Sequence, residues 1–154
     1  MEVTEGMQAP AFDMATSDGA RVSSASLKGR PVVLYFYPKA DTPGCTSESQ
    51  DFSALADDFA AAGAVVIGVS RDPVKKLERF KAKYALDLIL ASDEPGDVTD
   101  AFGVWVEKSM YGRTYMGVER ATFLIDGAGV VRRVWRKVKV KGHAAEVLAA
   151  AAEP

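Results

Sequence analysis

Residues Pro31-Val32-Val33-Leu34-Tyr35-Phe36-Tyr37-Pro38-Lys39-Ala40-Asp41-Thr42-Pro43-Gly44-Cys45 set the architecture of this chain. The first half is β-branched and aromatic with no polar face, as a strand buried on both sides of a parallel sheet requires. Pro38 cannot continue a central strand and ends it. Beyond it, Cys45, Phe52, Leu55, Ala56 and Phe59 recur close to the helical period, which predicts a helix running to about Ala62 with Cys45 on its core-facing stripe. Thr42 reads as the N-cap and Pro43 as the first helical residue. Cys45 then falls at the third helical position, where a capping box would place a glutamate.

That position favours chemistry over packing. First-turn amide N–H groups lack intrahelical acceptors and the helix dipole adds positive potential, so a thiol placed there is drawn toward its anionic, nucleophilic form. The Thr42 hydroxyl, with a donor and acceptors, is suited to orienting a substrate oxygen beside the sulfur. A lone cysteine is otherwise read as a small buried hydrophobe; its place in the cap tips the reading toward a reactive thiol.

Composition narrows the function classes. A chain of 154 residues, 48% of them hydrophobic, suffices for one well-buried domain, and residues 1–154 are read as one. Its 19 Lys and Arg against 21 Asp and Glu leave a net charge of −2, which offers no overall pull toward nucleic acid or an anionic membrane. Small molecules are the expected partners. Met1–Met7 has neither a basic start nor an apolar core, and no stretch nears the roughly 20 apolar residues that span a bilayer, so a cytoplasmic location is expected. Cys45 is the sole cysteine, which rules out an internal disulfide and fits a reducing compartment. His143 is the sole histidine; it reads as the surface start of a helix, with no role assigned and no multi-histidine metal site to join. Neither a metal nor a cofactor is expected.

The remaining segments alternate in type. Ala11–Met14 and Arg21-Val22 around Ser17-Asp18-Gly19 predict an N-terminal β-hairpin. Ala64–Ser70 predicts a second buried strand, and Asp72-Pro73 an N-cap and first helical residue for a helix to about Tyr84. Leu88–Ala91 predicts a short strand, Ser92–Gly96 a loop, and Val98–Phe102 a short helix. Thr122–Ile125 and Val130–Val138 flank Asp126-Gly127-Ala128-Gly129 as a hairpin, and a helix from about Gly142 to Ala151 closes the chain. The basic alternation Lys137-Val138-Lys139-Val140-Lys141 reads as a half-exposed strand rather than a nucleic-acid patch. This order predicts an α/β fold with a central mixed β-sheet flanked by helices, the order of a thioredoxin-like domain.

Pro38-x-x-x-Thr42-x-x-Cys45 resembles the peroxidatic motif of peroxiredoxins, and Tyr35–Thr46 resembles the peroxiredoxin Q, or bacterioferritin comigratory protein, branch. The likeness extends through Gly6-x-x-Ala9-Pro10-x-Phe12, Lys108–Gly112 and Glu119–Asp126 to Lys137–His143. The resemblance implies a thioredoxin-like peroxidase in which the Cys45 thiolate attacks hydrogen peroxide or an organic hydroperoxide and becomes a sulfenic acid. It nominates Arg120, on sequence alone a surface residue opening a strand, as the planar cation beside the sulfur. Glu48, one turn past Cys45, either orients such a cation or complements the helix dipole. Gly44 either lets its N–H approach the substrate or, equally well, serves turn geometry, and Pro38, which the family carries at this position, either shields the sulfur or merely ends the strand. The expected catalytic set is thus Cys45, Thr42 and Arg120, with Pro38, Gly44 and Glu48 in substrate binding. Trp105, Met110, Tyr111, Tyr115 and Trp135 read either as ordinary packing or as an apolar collar for organic hydroperoxides.

Many members of the branch carry a resolving cysteine five positions after the peroxidatic one, where this chain has Gln50. Recycling then falls to an external thiol: thioredoxin, glutaredoxin or glutathione. Related proteins are often monomers, and a monomer is expected. Two rival readings remain. A thioredoxin-like disulfide carrier needs Cys-x-x-Cys, and Thr42 occupies the companion place. A non-catalytic redox sensor would form the same sulfenic acid but consume about one equivalent of peroxide rather than many.

Overall fold

All five side chains of Val32–Phe36 are buried, and their alternating directions explain why this segment has no polar face. Leu34 and Phe36 enter one core layer with Ile67, Phe102 and Phe123, whereas Val33 and Tyr35 enter the other with Phe52, Phe59 and Phe80. The computed structural model describes residues 2–153. Along it run β1 (Asp13–Thr16), β2 (Arg21–Ser23), a 3-10 turn (Ala25–Leu27), β3 (Val32–Phe36), α1 (Pro43–Ala54), α2 (Ala56–Ala61) and β4 (Val65–Ser70). There follow α3 (Val74–Tyr84), β5 (Ile89–Ser92), α4 (Asp97–Ala101), β6 (Trp105–Met110), β7 (Arg113–Val118), β8 (Ala121–Ile125), β9 (Val131–Trp135) and α5 (His143–Ala151).

Seven strands form one mixed sheet in the order β2-β1-β5-β4-β3-β8-β9. β3, β4 and β5 run parallel, β8 lies antiparallel beside β3, and the N-terminal hairpin joins the sheet through antiparallel pairing of β1 with β5. This is the α/β layering expected from the element order.

The departures have local causes. The helix expected to continue to Ala62 breaks at Leu55, whose N–H donates three residues back to Phe52 (3.1 Å) in a tightened last turn. α2 then restarts with Asp57 and Asp58 in its first turn, where the dipole favours them. Phe52 and Phe59 still meet across the break at 5.8 Å, so the apolar period conceals it. Pro73 is the N-cap of α3 rather than its first residue, with extended backbone at φ −68° and ψ 156°. The Asp72 carboxylate is committed elsewhere, accepting from the Ala40 N–H at 2.7 Å and the Ser70 hydroxyl at 2.8 Å.

No element is assigned from sequence between Phe102 and Glu119, yet β6 and β7 form a separate two-stranded hairpin there. Its turn places Tyr111 (φ 52°) and Gly112 (φ 76°) in the left-handed region, as two-residue hairpins demand. Tyrosine is an unusual turn residue and most side chains of both strands are exposed, so neither turn chemistry nor burial alternation announces the hairpin. β9 ends at Trp135, and Lys137–Lys141 is not a strand. Instead Lys137 turns at φ 47°, and the Val138 N–H donates to the Arg120 carbonyl (3.0 Å).

One close approach fixes α1 on the sheet. Tyr35 pairs in register with Gly68 of β4, and a Cβ at Gly68 would lie 2.5 Å from both Cζ and the hydroxyl oxygen of Tyr35. The missing methyl gives the phenol room to reach Ser49 of α1 (2.9 Å) while its ring stacks on Phe52 (4.5 Å). Gly68→Ala is therefore expected to destabilise the fold by about 1–3 kcal/mol through overpacking, read as a lower urea midpoint. Unchanged stability would show that the ring shifts freely.

Candidate active site

The loop leaving β3 is tied down on both flanks. The Ala40 N–H reaches Asp72 (2.7 Å), and Asp41, at a left-handed φ of 63°, accepts from the Tyr84 hydroxyl (2.6 Å) and from Lys83 Nζ (3.0 Å). Thr42 follows as the N-cap in extended conformation and Pro43 takes the first helical place, so Cys45 stands third, as its spacing predicts. The Thr42 hydroxyl departs from its expected capping geometry: it donates to the Lys39 carbonyl (2.7 Å), and no side chain caps α1. The Gly44 and Cys45 amides thus keep the free, outward donors of a first turn.

Cys45 is 1% exposed and packs in the core layer of Tyr35, Tyr37 and Ala40. Arg120, in the short link before β8, forks over the helix start. Its Nη2 donates to Cys45 Sγ (3.4 Å) and its Nη1 to Glu48 Oε1 (2.7 Å). Gly44 makes room for this cation, since a Cβ there would come within 3.1 Å of Nη2. The structure thus brings Cys45, Arg120, Glu48 and Gly44 into one cluster. Pro38 is half-buried at the start of the loop, and Thr42 is half-buried with its hydroxyl turned to Lys39.

Burial acts unequally on the ion pair. The Glu48 side chain is 1% exposed against 18% for Arg120, and Glu48 Oε2 is buried with no hydrogen-bond partner among the described residues. Desolvation pushes the Glu48 carboxyl up to about 7 despite the opposing pull of Arg120. On the guanidinium, burial works downward but is outweighed by Glu48 and Cys45, which hold Arg120 above its ordinary value. The two shifts agree once exposure is considered: desolvation wins at the enclosed carboxylate, attraction at the partly solvated cation. The phenols of Tyr35 and Tyr37 are also pushed up, chiefly by burial, and stay neutral beneath the sulfur.

His143 is not on the surface. It is buried at the start of α5, with Nε2 2.8 Å from Thr122 Oγ1 and its ring edge-on to Phe52 and Trp135. Burial, then Arg120, pull its protonation downward against Glu146, so the ring is neutral at neutral pH. The glycine before it suggested only a helix start; the partner lies 21 residues earlier, on a strand, and left no local signal. Lys108 is a second residue near the cluster that the spacing did not single out. The five apolar residues considered as a collar divide between packing and solvent. Trp105 lies under Arg71 (3.5 Å), Trp135 beside His143, and Met110, Tyr111 and Tyr115 are exposed on the β6–β7 hairpin.

A hollow of about 310 Å³ lined by Phe12, Leu27, Val32 and Ile125 opens at the far end of β3, away from the cysteine. Among the described residues, no group of three or more His, Cys, Asp or Glu is placed to hold a metal ion, and no helix is long and apolar enough to cross a membrane.

Residues 6–134 match the AhpC/TSA family. The peroxiredoxin Bcp of Bacillus subtilis is 45% identical over 148 residues, covering 96% of this chain and 94% of that protein. The chain belongs to the peroxiredoxins, in their Bcp branch. The structure of the Xanthomonas campestris bacterioferritin comigratory protein superposes on this peroxiredoxin with a TM-score of 0.87 at 46% identity, over 91% of this chain and 89% of the other. A C47S mutant of the Xylella fastidiosa PrxQ superposes with a TM-score of 0.92 at 36% identity, over 97% and 96% of the two chains. The peroxiredoxin is a thiol peroxidase with a thioredoxin-like α/β fold.

Glu48 leaves a signature in stability. Its native value near 7 lies above the ordinary 4.5, so the native state holds the proton more tightly than the unfolded chain does. The resulting increment is fully present below about pH 4.5 and is lost as pH rises toward 7. Glu48→Gln removes this titration. The stability of the parent relative to that variant should fall by up to about 3 kcal/mol between the two ends of this window, measured by urea unfolding. A pH-independent difference would show that Glu48 titrates normally.

Proposed function

We propose that Cys45 is the thiolate that reduces hydrogen peroxide and organic hydroperoxides, and that its sulfenic acid is returned to thiol by an external thiol. The observation that carries this reading is the Arg120 fork, which joins the sulfur to Glu48 at the third position of α1. A peroxide seated against the sulfur meets three kinds of group. The Arg120 guanidinium and the Gly44 and Cys45 amides supply donors, and the Thr42 oxygen, its own proton given to Lys39, offers lone pairs to the peroxide O–H. As the S–O bond forms and the O–O bond breaks, negative charge collects on the departing oxygen. Fixed donors stabilise that charge more than they stabilise the bound peroxide. The alkoxide or hydroxide takes a proton and leaves. Glu48 acts through Arg120, holding the guanidinium plane.

Alkyl peroxide reduction is ascribed to the Xanthomonas campestris relative, which supports organic hydroperoxides as substrates here. The sole cysteine supports recycling in trans, because no second sulfur in the chain can resolve the sulfenic acid.

Brief peroxide treatment should add one oxygen to the intact mass, and a small thiol or reduced thioredoxin should remove it. Cys45→Ser should abolish both the mass gain and thiol-dependent peroxide consumption; retained turnover in that variant would overturn the assignment. Arg120→Lys keeps the charge but cannot span sulfur and carboxylate together. Its second-order rate with hydrogen peroxide should fall on the order of 100-fold in stopped-flow measurements. A rate equal to that of the parent would remove Arg120 from the mechanism.

A further inference from the structure

Lys108 lies on β6 opposite Tyr115 of β7. Its stem crosses the bare backbone of Gly117, where a Cβ would come within 3.2 Å of Lys108 Cδ and 3.5 Å of Cε. Gly117 stands only three residues before Arg120. Half-buried in this place, the ammonium is close enough to Arg120 and to the Cys45 sulfur to feel both charges. Burial and Arg120 pull its protonation down, while Cys45 and Glu119 support it.

Among the described residues, Lys108 has no carboxylate within ion-pair distance. Glu119, whose charge also acts on Lys108, is already held by Arg136 at 2.7 and 2.9 Å and by the Lys137 N–H at 3.0 Å. The cluster therefore contains one cation with a protein partner and one without. While Cys45 is a thiolate it offsets one of these two cations, and Glu48, its carboxyl pushed up to about 7, offsets the other only in its ionised fraction. Oxidation to the neutral sulfenic acid deletes one negative charge and leaves the site positive. Hydrogen peroxide is neutral and gains little from that excess, but the species that must arrive next is a thiolate.

We propose that Lys108 selects the recycling reductant, pairing with a carboxylate of a small acidic thiol and so presenting its thiolate to the Cys45 sulfenic acid. This rests on Cys45 being the peroxide-reducing sulfur. The incoming thiolate forms an S–S bond as the S–O bond breaks, and the departing hydroxide becomes water by taking up the proton that the thiol released on ionising. A second molecule of the thiol attacks the small thiol's sulfur, the small-molecule disulfide leaves, and Cys45 departs as thiolate. Two thiols are oxidised and one sulfenic sulfur is reduced by two electrons.

Glutathione and its diethyl ester provide a matched pair, with the same thiol and with or without its carboxylates. The enzyme is oxidised with one equivalent of peroxide, and the rate of sulfenic acid loss is followed with each thiol in the parent, Lys108→Met and Lys108→Glu. The parent should prefer glutathione to the ester. The ratio of the two rates should fall about tenfold in Lys108→Met, the scale of one charge-assisted contact, and further in Lys108→Glu. Added salt should erode the preference of the parent and leave that of Lys108→Met unchanged. A ratio equal in all three proteins overturns the proposal, as does a parent that is reduced by thioredoxin but inert to glutathione. Failure of peroxide to form a sulfenic acid at all would instead sink the Cys45 assignment, and this proposal with it.

Discussion

The contact between Arg120 and the pair formed by Glu48 and Cys45 is the constraint around which the rest is arranged. A guanidinium that touches a buried carboxylate on one side and a buried sulfur on the other is useful only if the three are held in one plane and one register. The sheet provides that register. β8 pairs antiparallel with β3 so that Ala121 faces Phe36, which sets Arg120 level with Tyr37, where the chain leaves the sheet for the cysteine loop. A slip of one residue would turn Arg120 to the opposite face.

Holding the cysteine at the matching height takes a second set of contacts, all of them polar and all buried or part-buried. Asp72 gathers the Ala40 N–H and the Ser70 hydroxyl, so the loop after β3 is hung from the end of β4. Tyr35 anchors α1 through Ser49, and its strand neighbour Thr122 anchors α5 through His143. Tyr35 and Thr122 are directly paired, so the two helices flanking the site are referenced to the same rung of the sheet. His143 thereby contributes to the site as a structural pin.

What the sequence discloses and what it hides follow from range. The buried strands, the cysteine at the third position of its helix and the N-terminal hairpin are written in neighbouring residues; the hairpin forms as expected, although its first strand starts at Asp13 rather than Ala11. Arg120 lies 75 residues from Cys45, and only the resemblance to peroxiredoxins linked them; apolar periodicity carries no information about such a pairing. The two readings of Glu48 were equally open until the fold showed its carboxylate on Arg120. His143 misled because a glycine before a helix is a local signal, whereas its burial depends on Phe52, Thr122 and Trp135 arriving from three other elements. The β6–β7 hairpin leaves no such pattern because a solvated strand has no buried face to imprint an alternation.

Two glycines show how the site reconciles close packing with charge. Gly44 and Gly117 each lack the methyl that would press on a cation, Arg120 Nη2 at 3.1 Å and Lys108 Cδ at 3.2 Å. Neither has a positive φ, so backbone conformation does not explain them; access does. The carboxylate side of the balance is less comfortable. Glu48 keeps one buried oxygen without a partner among the described residues, a cost that a core built only for stability would remove with an apolar side chain. The proposed mechanism accounts for it: an apolar replacement would leave Arg120 to fold back on Cys45 alone or to swing into water. In either arrangement the guanidinium would lose the rigid orientation that a charge forming on a departing oxygen requires. On the proposed mechanism, the residual instability at Glu48 is the consequence of fixing a cation beside an enclosed, reactive sulfur.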